Sequence, residues 1–173
     1  MYVKIKSSTE NGSLVVTDNY DLSRYGEITL TSDKVQEQYN VSHTPSVEGY
    51  AAYQNEIAHD RVIIDDGSTT QNPSTLIYGR NGQPLSADNT LRGGDSVSDI
   101  SGVVTYANGN YKVEPIAGQG YNFTGEARPT VDSIQATVQN AEITVASANV
   151  LNLFTTFGTA SFTTPLGNTQ TGR

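Results

Sequence analysis

The sequence lacks cysteine and tryptophan and contains a single methionine among its 173 residues. Because cysteine is absent, the chain has neither a disulfide framework nor a thiolate metal site. Basic residues are also scarce, since 10 Lys and Arg stand against 18 Asp and Glu and the formal net charge is −8. This balance argues against a strongly basic nucleic-acid-binding surface, although it does not exclude a local basic groove.

Long apolar runs are missing as well. No segment approaches the roughly 20 apolar residues that a membrane-spanning helix needs, so no membrane partner is expected. Residues 1–8 alternate like a β-strand and do not resemble a signal peptide. If the parent protein is exported, its signal lies outside this sequence.

Recognisable catalytic motifs are absent from the sequence. His43 and His59 are the two histidines, and they do not form an H-x-x-x-H or H-E-x-x-H pair. Neither a P-loop nor a G-x-S-x-G nucleophile motif occurs. Surface or helix-capping roles are therefore expected for both histidines, and this stretch is expected to be catalytically inactive by itself.

The clearest structural signal is an Asn-Gly dipeptide at residues 108–109. Both positions of a two-residue type I′ turn need positive φ angles, which Asn and Gly tolerate, so the dipeptide predicts a β-hairpin. The turn sets two facing pairs on one side of this hairpin, Tyr106 with Tyr111 and Val104 with Val113. This apolar side is expected to lie on the core, and the mostly polar side with Lys112 is expected to face water.

Other short segments carry the signals of strands and of one helix. Tyr50, Tyr53 and Ile57 recur at helical spacing, so a helix is predicted at residues 46–58. Residues 69–94 form a long loop of the kind that is usually functional or mobile. Four strands are predicted outside the hairpin, at residues 2–7, 14–17, 27–31 and 61–64.

The order of these elements predicts a mainly β fold. Three strands in a meander, one short helix and a two-stranded hairpin follow one another as in a five-stranded OB-fold-like Greek-key barrel. The strand at residues 61–64 and the long loop would then be insertions before the fourth strand. An immunoglobulin-like sandwich is an alternative, but that fold lacks a helix at this point. We expect residues 1–116 to form the OB-fold-like domain, residues 117–142 a linker, and residues 143–173 the incomplete start of a second domain.

Tyr20, Arg24 and Tyr25 lie in the connector between the second and third predicted strands. Proteins that bind single strands combine aromatic rings that stack on bases with cationic side chains that attract phosphates. In OB-folds the ligand crosses this part of the barrel, so these three residues are the predicted nucleic-acid contacts. The alternative is that Arg24 pairs with Asp21 or Glu27 while Tyr25 covers the barrel.

Asp65 and Asp66 directly follow a predicted strand and precede Gly67. Paired carboxylates suit a hard divalent cation such as calcium, which makes these two residues candidate metal ligands. A turn is the alternative, because Asp side chains in turns accept hydrogen bonds from nearby backbone N–H groups. The residue spacing of an EF-hand is missing.

Four sequence blocks together resemble the OB-fold-type domain of large secreted bacterial endonucleases: VVTDNYDLSRYGEITLTS (15–32), RVIIDDGS (61–68), NTLRGGDSV (89–97) and GVVTYANGNYKVEP (102–115). In that family the domain precedes a DNase I-like catalytic domain of the endonuclease/exonuclease/phosphatase class. ARPTV (127–131) resembles the link between the two domains, and ITVASANVLNLFTTFG (143–158) resembles the first strand of the catalytic domain. The resemblance covers most of the chain, and the four blocks in order are more specific than any one of them.

The resemblance implies one catalytic residue within this sequence. Asn149 matches an Asn that lies near the divalent metal and the scissile phosphate in the DNase I-like class. The metal-binding Glu, the two His and the other Asp or Asn residues of that active site would come after residue 173. The full-length enzyme is therefore expected to use magnesium or calcium and to be extracellular, whereas no cofactor is expected in this stretch alone.

Two functional hypotheses follow from the resemblance and the composition. The first is a non-catalytic OB-fold module of a secreted metal-dependent nuclease, which assists binding or positioning of nucleic acid, weakly and with a preference for single strands. The second is a structural or interaction module that packs on the catalytic domain of the same chain and touches no nucleic acid. The fold precedent favours the first hypothesis, and the acidic charge favours the second.

Overall fold

A computed structural model describes residues 1–74, 76, 78–116, 121–145 and 147, together with the backbone of two short strands at residues 161–163 and 169–171. The chain divides into two compact units, Met1–Arg128 and Pro129–Arg173. The finer division into residues 1–116, 117–142 and 143–173 stays a prediction. None of the helices in the described ranges is long and apolar enough to cross a membrane.

The first unit is a mainly β structure built on a mixed sheet of seven strands, which curls into a half-barrel. The strands are β1 (Tyr2–Lys6), β2 (Leu14–Asp18), β3 (Glu27–Ser32), β4 (Val62–Asp65), β5 (Ser96–Val97), β6 (Asp99–Ala107) and β7 (Asn110–Pro115). Their spatial order is β1-β6-β7-β4-β3-β2-β5. The β4–β7 pair is parallel and the other pairs are antiparallel. The prediction of a mainly β fold is therefore confirmed.

The predicted five-stranded OB-fold-like Greek-key barrel is wrong in its strand count and in its pairing. The first strand, β1, pairs with β6 and not with β2, so the first three strands do not form a meander. The segment at residues 61–64 is no insertion, because β4 lies in the middle of the sheet between β3 and β7. Local sequence patterns do not report such pairings, because β4 and β7 are far apart along the chain.

The β6–β7 hairpin forms in the predicted register, with Tyr106 opposite Tyr111 and Val104 opposite Val113. Asn108 and Gly109 at its tip have φ angles of 52° and 80°, as a type I′ turn requires. Only the base of the hairpin reaches the core, where Val113 is 3% exposed. The rings of Tyr106 and Tyr111 are 63% and 74% exposed and lie 4.9 Å apart, so the prediction that they pack the core is wrong.

Three helices interrupt the sheet: α1 (Leu22–Tyr25), α2 (Tyr39–Ser42) and α3 (Val47–His59). The predicted helix at residues 46–58 is confirmed as α3. Ser46 caps it by accepting a hydrogen bond from the Gly49 N–H at 2.9 Å. No residue of α2 or α3 is fully buried, so the segment between β3 and β4 lies on the surface of the unit.

The core extends along the chain beyond the hairpin. Tyr121 and Phe123 are 5% and 0% exposed, and Tyr78 stacks on Tyr121 with ring centroids 6.3 Å apart. The Tyr121 hydroxyl donates a hydrogen bond to the Ser101 carbonyl at 3.0 Å. The core residues are Leu14, Val16, Leu22, Ile28, Leu30, Ile64, Tyr78, Leu91, Val97, Ile100, Val113, Tyr121 and Phe123.

The second unit contains one further helix, α4 (Val131–Val138), and two paired strands, β8 (Ser161–Thr163) and β9 (Thr169–Thr171). A capping box begins α4: the Thr130 N–H donates to Ser133 Oγ at 2.9 Å, and the Ser133 N–H donates to Thr130 Oγ1 at 3.1 Å. Asn149 and most of residues 143–158, the block that resembles the first strand of the catalytic domain, lie outside the described residues.

Candidate functional site

The predicted nucleic-acid contacts lie on α1 and directly before it, and we call Tyr20, Arg24 and Tyr25 the α1 surface. The helix is held to the core by Leu22, which is 8% exposed, and Gly26 ends it with a φ of 71°. Tyr20 is 86% exposed. The Arg24 guanidinium carbon lies 5.2 Å from the centroid of the Tyr25 ring, which is the geometry of a cation–π contact. The structure therefore brings a cation and two accessible aromatic rings into one short segment.

The alternative partners of Arg24 are engaged elsewhere or make no bond to it. Glu27 forms its ion pair with Lys112. Asp21 occupies the N-cap position of α1 without a side-chain capping bond. Within the described part of the chain, Arg24 forms no ion pair, so its charge is available to a ligand.

The Asp65–Asp66 pair, predicted as a metal site, is occupied by hydrogen bonds from the protein itself. Asp65 accepts from the Gly67 N–H at 2.9 Å through Oδ1 and from Lys112 Nζ at 2.9 Å through Oδ2. Asp66 Oδ1 accepts from the Ser68 N–H at 2.8 Å, and burial raises the pKa of the Asp66 carboxyl. These contacts have the form of an Asp turn. Among the described residues, no group of three or more His, Asp or Glu side chains is placed to hold a metal ion.

Lys112 is a site residue whose environment the sequence pattern misjudged, because it was expected to face water. It is 3% exposed and lies between Glu27, at 2.5 Å, and Asp65, at 2.9 Å. Burial lowers the pKa of the Lys112 ammonium, but the hydrogen bonds to the two carboxylates outweigh that effect and the pKa lies above its usual value. The three side chains join the neighbouring strands β3, β4 and β7, so we assign them a structural role.

A shallow groove between α2 and α3 was not predicted as a site, and we call it the α2–α3 groove. Its centre is Tyr39, whose ring lies edge-on to Tyr50 at 5.9 Å and tilted against Tyr53 at 5.7 Å. His43 stacks on Tyr39 with ring centroids 4.8 Å apart. The spacing of Tyr50 and Tyr53 predicted the helix but not this cluster of rings, in which Tyr50 is 52% exposed.

The two histidines lie at the ends of α2 and α3. His43 stacks within the aromatic cluster, and Nδ1 of its ring lies 3.1 Å from the Tyr39 carbonyl. His59 lies at the end of α3, with Nδ1 2.6 Å from the Asn55 carbonyl. Each ring therefore contacts a carbonyl of its own helical segment.

One family model matches the chain. It covers residues 2–122 and is described as "Domain of unknown function (DUF8508)". No curated protein and no solved structure matches the chain. The matched range contains all seven strands of the curled sheet, the α1 surface and the α2–α3 groove. Because this match spans well over half of the sequence, the protein belongs to the DUF8508 family.

Proposed function

We propose that this domain is a non-catalytic module of a secreted, metal-dependent nuclease, and that it contacts single-stranded nucleic acid through the α1 surface. The observation that carries the proposal is the exposed Arg24 guanidinium, which lies over Tyr25 and forms no ion pair in the described residues. A cation attracts the phosphates, and the faces of Tyr20 and Tyr25 stack on bases without regard to their sequence.

The proposed interaction is weak. The net charge of −8 repels a polyanion at long range, and Asp18 and Asp21 are exposed in the same segment as Arg24. Three other basic side chains of the domain are already paired, Lys4 with Asp99, Arg80 with Asp95, and Lys112 with Glu27 and Asp65. Few phosphate contacts are therefore available, and the affinity decreases further as the salt concentration rises.

Cleavage of nucleic acid is assigned to the adjoining catalytic domain that the sequence resemblance implies. Hydrolysis of a phosphodiester needs a metal clamp and a base. In this domain, Asp65 binds Lys112 and Asp66 binds a backbone N–H, so neither carboxylate is free for that chemistry. The catalytic role of Asn149 and the use of magnesium or calcium belong to the same proposal.

The second candidate function is a structural module that packs on the catalytic domain of the same chain and does not touch nucleic acid. The observation that favours it is the hairpin tip, where the exposed rings of Tyr106 and Tyr111 contact each other. Exposed aromatic pairs of this kind are common anchors of protein interfaces. In this alternative the buried surface is the hairpin tip and the α1 surface stays in solvent.

Titration of the isotope-labelled protein with oligothymidylate and oligouridylate at low salt tests the proposal. We expect amide shifts in the NMR spectrum for Tyr20 to Glu27, which Arg24→Ala abolishes. The matched control is Arg61→Ala, because Arg61 is also exposed and forms no ion pair within the described residues. Equal losses of binding in both variants would indicate that Arg24 contributes only its positive charge and no specific contact.

A second pair of variants tests the stacking contribution. We expect Tyr25→Ala to weaken binding by roughly 1–3 kcal/mol if one base stacks on the ring, and Tyr106→Ala to have no effect. The absence of amide shifts at millimolar oligonucleotide would overturn the proposal. Burial of Tyr106 on addition of the catalytic domain would then support the structural module.

A further inference from the structure

The α2–α3 groove has the size of a small-ligand site. Its volume is about 590 Å³, within the range of roughly 300–1,000 Å³ that is usual for such sites. Aromatic and amide side chains dominate its lining, with Tyr39, Tyr50 and Tyr53 forming the aromatic part. The segment that carries it contributes no fully buried residue to the core, so core packing does not account for this group of rings.

Hydrogen bonds fix the walls of the groove before any ligand arrives. The Tyr53 hydroxyl donates to the Glu37 carbonyl at 2.6 Å, and the Tyr39 hydroxyl donates to the Thr44 carbonyl at 3.1 Å. Gly49 makes room for the Tyr39 ring, because a Cβ at that position would overlap the Tyr39 hydroxyl. A site with fixed walls loses little conformational entropy when it binds.

The polar groups of the groove suit hydroxyl groups. The side-chain amides of Gln38, Asn40 and Gln54 line it and bond to no other side chain or carbonyl in the described part of the chain. Each amide carries both donor and acceptor atoms, as a hydroxyl group does. An aromatic face beside such amides complements a ring that has an apolar C–H face and hydroxyl groups around its edge.

The charge of the groove selects against anions. No Lys or Arg lines it, and Glu37 does. Glu48 and Glu56 lie on α3 as well. A polyanion such as nucleic acid would meet this surface without a cation to contact, so an anionic ligand does not fit the groove. The groove is also distinct from the α1 surface, since the two share no residue.

We propose that the α2–α3 groove binds a neutral saccharide. A pyranose ring lies against the exposed Tyr50, and its hydroxyl groups exchange hydrogen bonds with the amides of Gln38, Asn40 and Gln54. The inference does not depend on the nuclease assignment, because it rests on the lining of the groove alone.

The test uses the intact, isotope-labelled chain and three neutral oligosaccharides, namely maltoheptaose, cellohexaose and N-acetylchitohexaose. We expect at least one of them to shift the resonances of Tyr39, Tyr50 and Tyr53 with a saturable dependence on concentration. Tyr50→Ala should weaken that binding about tenfold or more. Gln54→Ala tests the amide contribution in the same way.

The matched control is Tyr106→Ala, which removes another exposed tyrosine from the same domain and should leave saccharide binding unchanged. Polygalacturonate and a proline-rich peptide serve as competing ligand classes. If no neutral oligosaccharide shifts the three tyrosines at millimolar concentration, or if either competing ligand binds there more tightly, the proposal is wrong. Unchanged affinity in a folded Tyr50→Ala variant would also overturn it.

Discussion

Arg80 donates two hydrogen bonds to the buried carboxylate of Asp95, from Nε to Oδ2 at 3.0 Å and from Nη2 to Oδ1 at 2.9 Å. The same carboxylate accepts from the backbone N–H groups of Arg92, at 3.0 Å, and Glu126, at 3.1 Å. Asp95 is 0% exposed, so its carboxylate satisfies four donors of three residues where water does not reach. The long loop at residues 69–94 is thereby joined to the segment around Phe123. The backbones of Arg80 and Phe123 also form a parallel β-bridge.

We expect Asp95→Ala to lower the free energy of unfolding by about 3 kcal/mol, because it leaves two backbone donors and a guanidinium without their acceptor. Urea unfolding measures the change. Asp88→Ala is the matched control, since Asp88 lies in the same loop, is exposed and accepts no hydrogen bond in the described residues. If the free energy of unfolding falls by an equally small amount in both variants, water accepts the hydrogen bonds in place of the Asp95 carboxylate.

Removal of the hydroxyl group is expected to change the free energy of unfolding in opposite directions at the two buried tyrosines Tyr78 and Tyr121. The Tyr78 hydroxyl is buried without a hydrogen-bond partner among the described residues, whereas the Tyr121 hydroxyl donates to the Ser101 carbonyl. Tyr78→Phe should therefore raise the free energy of unfolding by about 1 kcal/mol, and Tyr121→Phe should lower it by a similar amount. Because the rings stack on each other, each variant is the packing control for the other. A destabilised Tyr78→Phe variant would indicate a bound water at this hydroxyl.

Alkaline pH is expected to destabilise the first unit. Burial raises the pKa of Tyr121 from 10.0 to about 12, and burial also raises the pKa of Tyr78. Because an unfolded tyrosine loses its proton near pH 10 and these folded ones keep it, the folded state binds more protons above that pH. The raised pKa of Lys112 acts in the same direction, so its contribution is complete below pH 10.5 and is lost at higher pH.

Urea midpoints measured from about pH 8 to pH 11.5 check this expectation, because each retained proton contributes up to about 1.4 kcal/mol per pH unit. Stability should be flat near pH 8 and fall above about pH 10. The Tyr121→Phe variant should show a smaller slope than the parent protein. Equal slopes in the two proteins would contradict the assignment of Tyr121 as a source of the effect.

Local patterns in the sequence predicted the parts of the fold that depend on neighbours along the chain. The Asn108-Gly109 turn fixed the register of the hairpin, and the spacing of Tyr50 and Tyr53 gave α3 within one residue at each end. Those patterns could not predict that β1 pairs with β6 or that β4 pairs with β7, because partners far apart in sequence leave no local trace. The order in which the strands pair was therefore predicted wrongly, although most of the strands themselves were predicted.

For the candidate site, too, the sequence predicted what depends on neighbours along the chain and not what depends on packing. Tyr20, Arg24 and Tyr25 were singled out because they lie in one connector, and the structure keeps them accessible there. Lys112 was assigned to the solvent side because its hairpin alternates, and only the packing of β3, β4 and β7 buries it. Asp95 follows two glycines, and nothing in this local pattern indicates that its carboxylate is buried.

Gly49 lies in the first turn of α3 and beneath the ring of Tyr39. On helix propensity alone, Gly49→Ala should stabilise the protein by about 1 kcal/mol. In this structure a Cβ at residue 49 would overlap the Tyr39 hydroxyl and lie 3.0 Å from the ring carbon that bears it. We therefore expect Gly49→Ala to lower the free energy of unfolding and to displace the Tyr39 ring from the α2–α3 groove.

A double-mutant cycle with Tyr39→Ala separates the two effects. Without the ring, Gly49→Ala should recover the normal stabilisation of about 1 kcal/mol, so the sign of the change reverses between the two backgrounds. Ala52→Gly, at an exposed position of the same helix, calibrates the propensity and should cost about 1 kcal/mol in both backgrounds. Urea unfolding of the four proteins of the cycle provides the energies. If Gly49→Ala stabilises the parent protein as much as the Tyr39→Ala variant, the ring does not require a glycine, and the groove walls are less fixed than the hydrogen bonds of Tyr39 and Tyr53 imply.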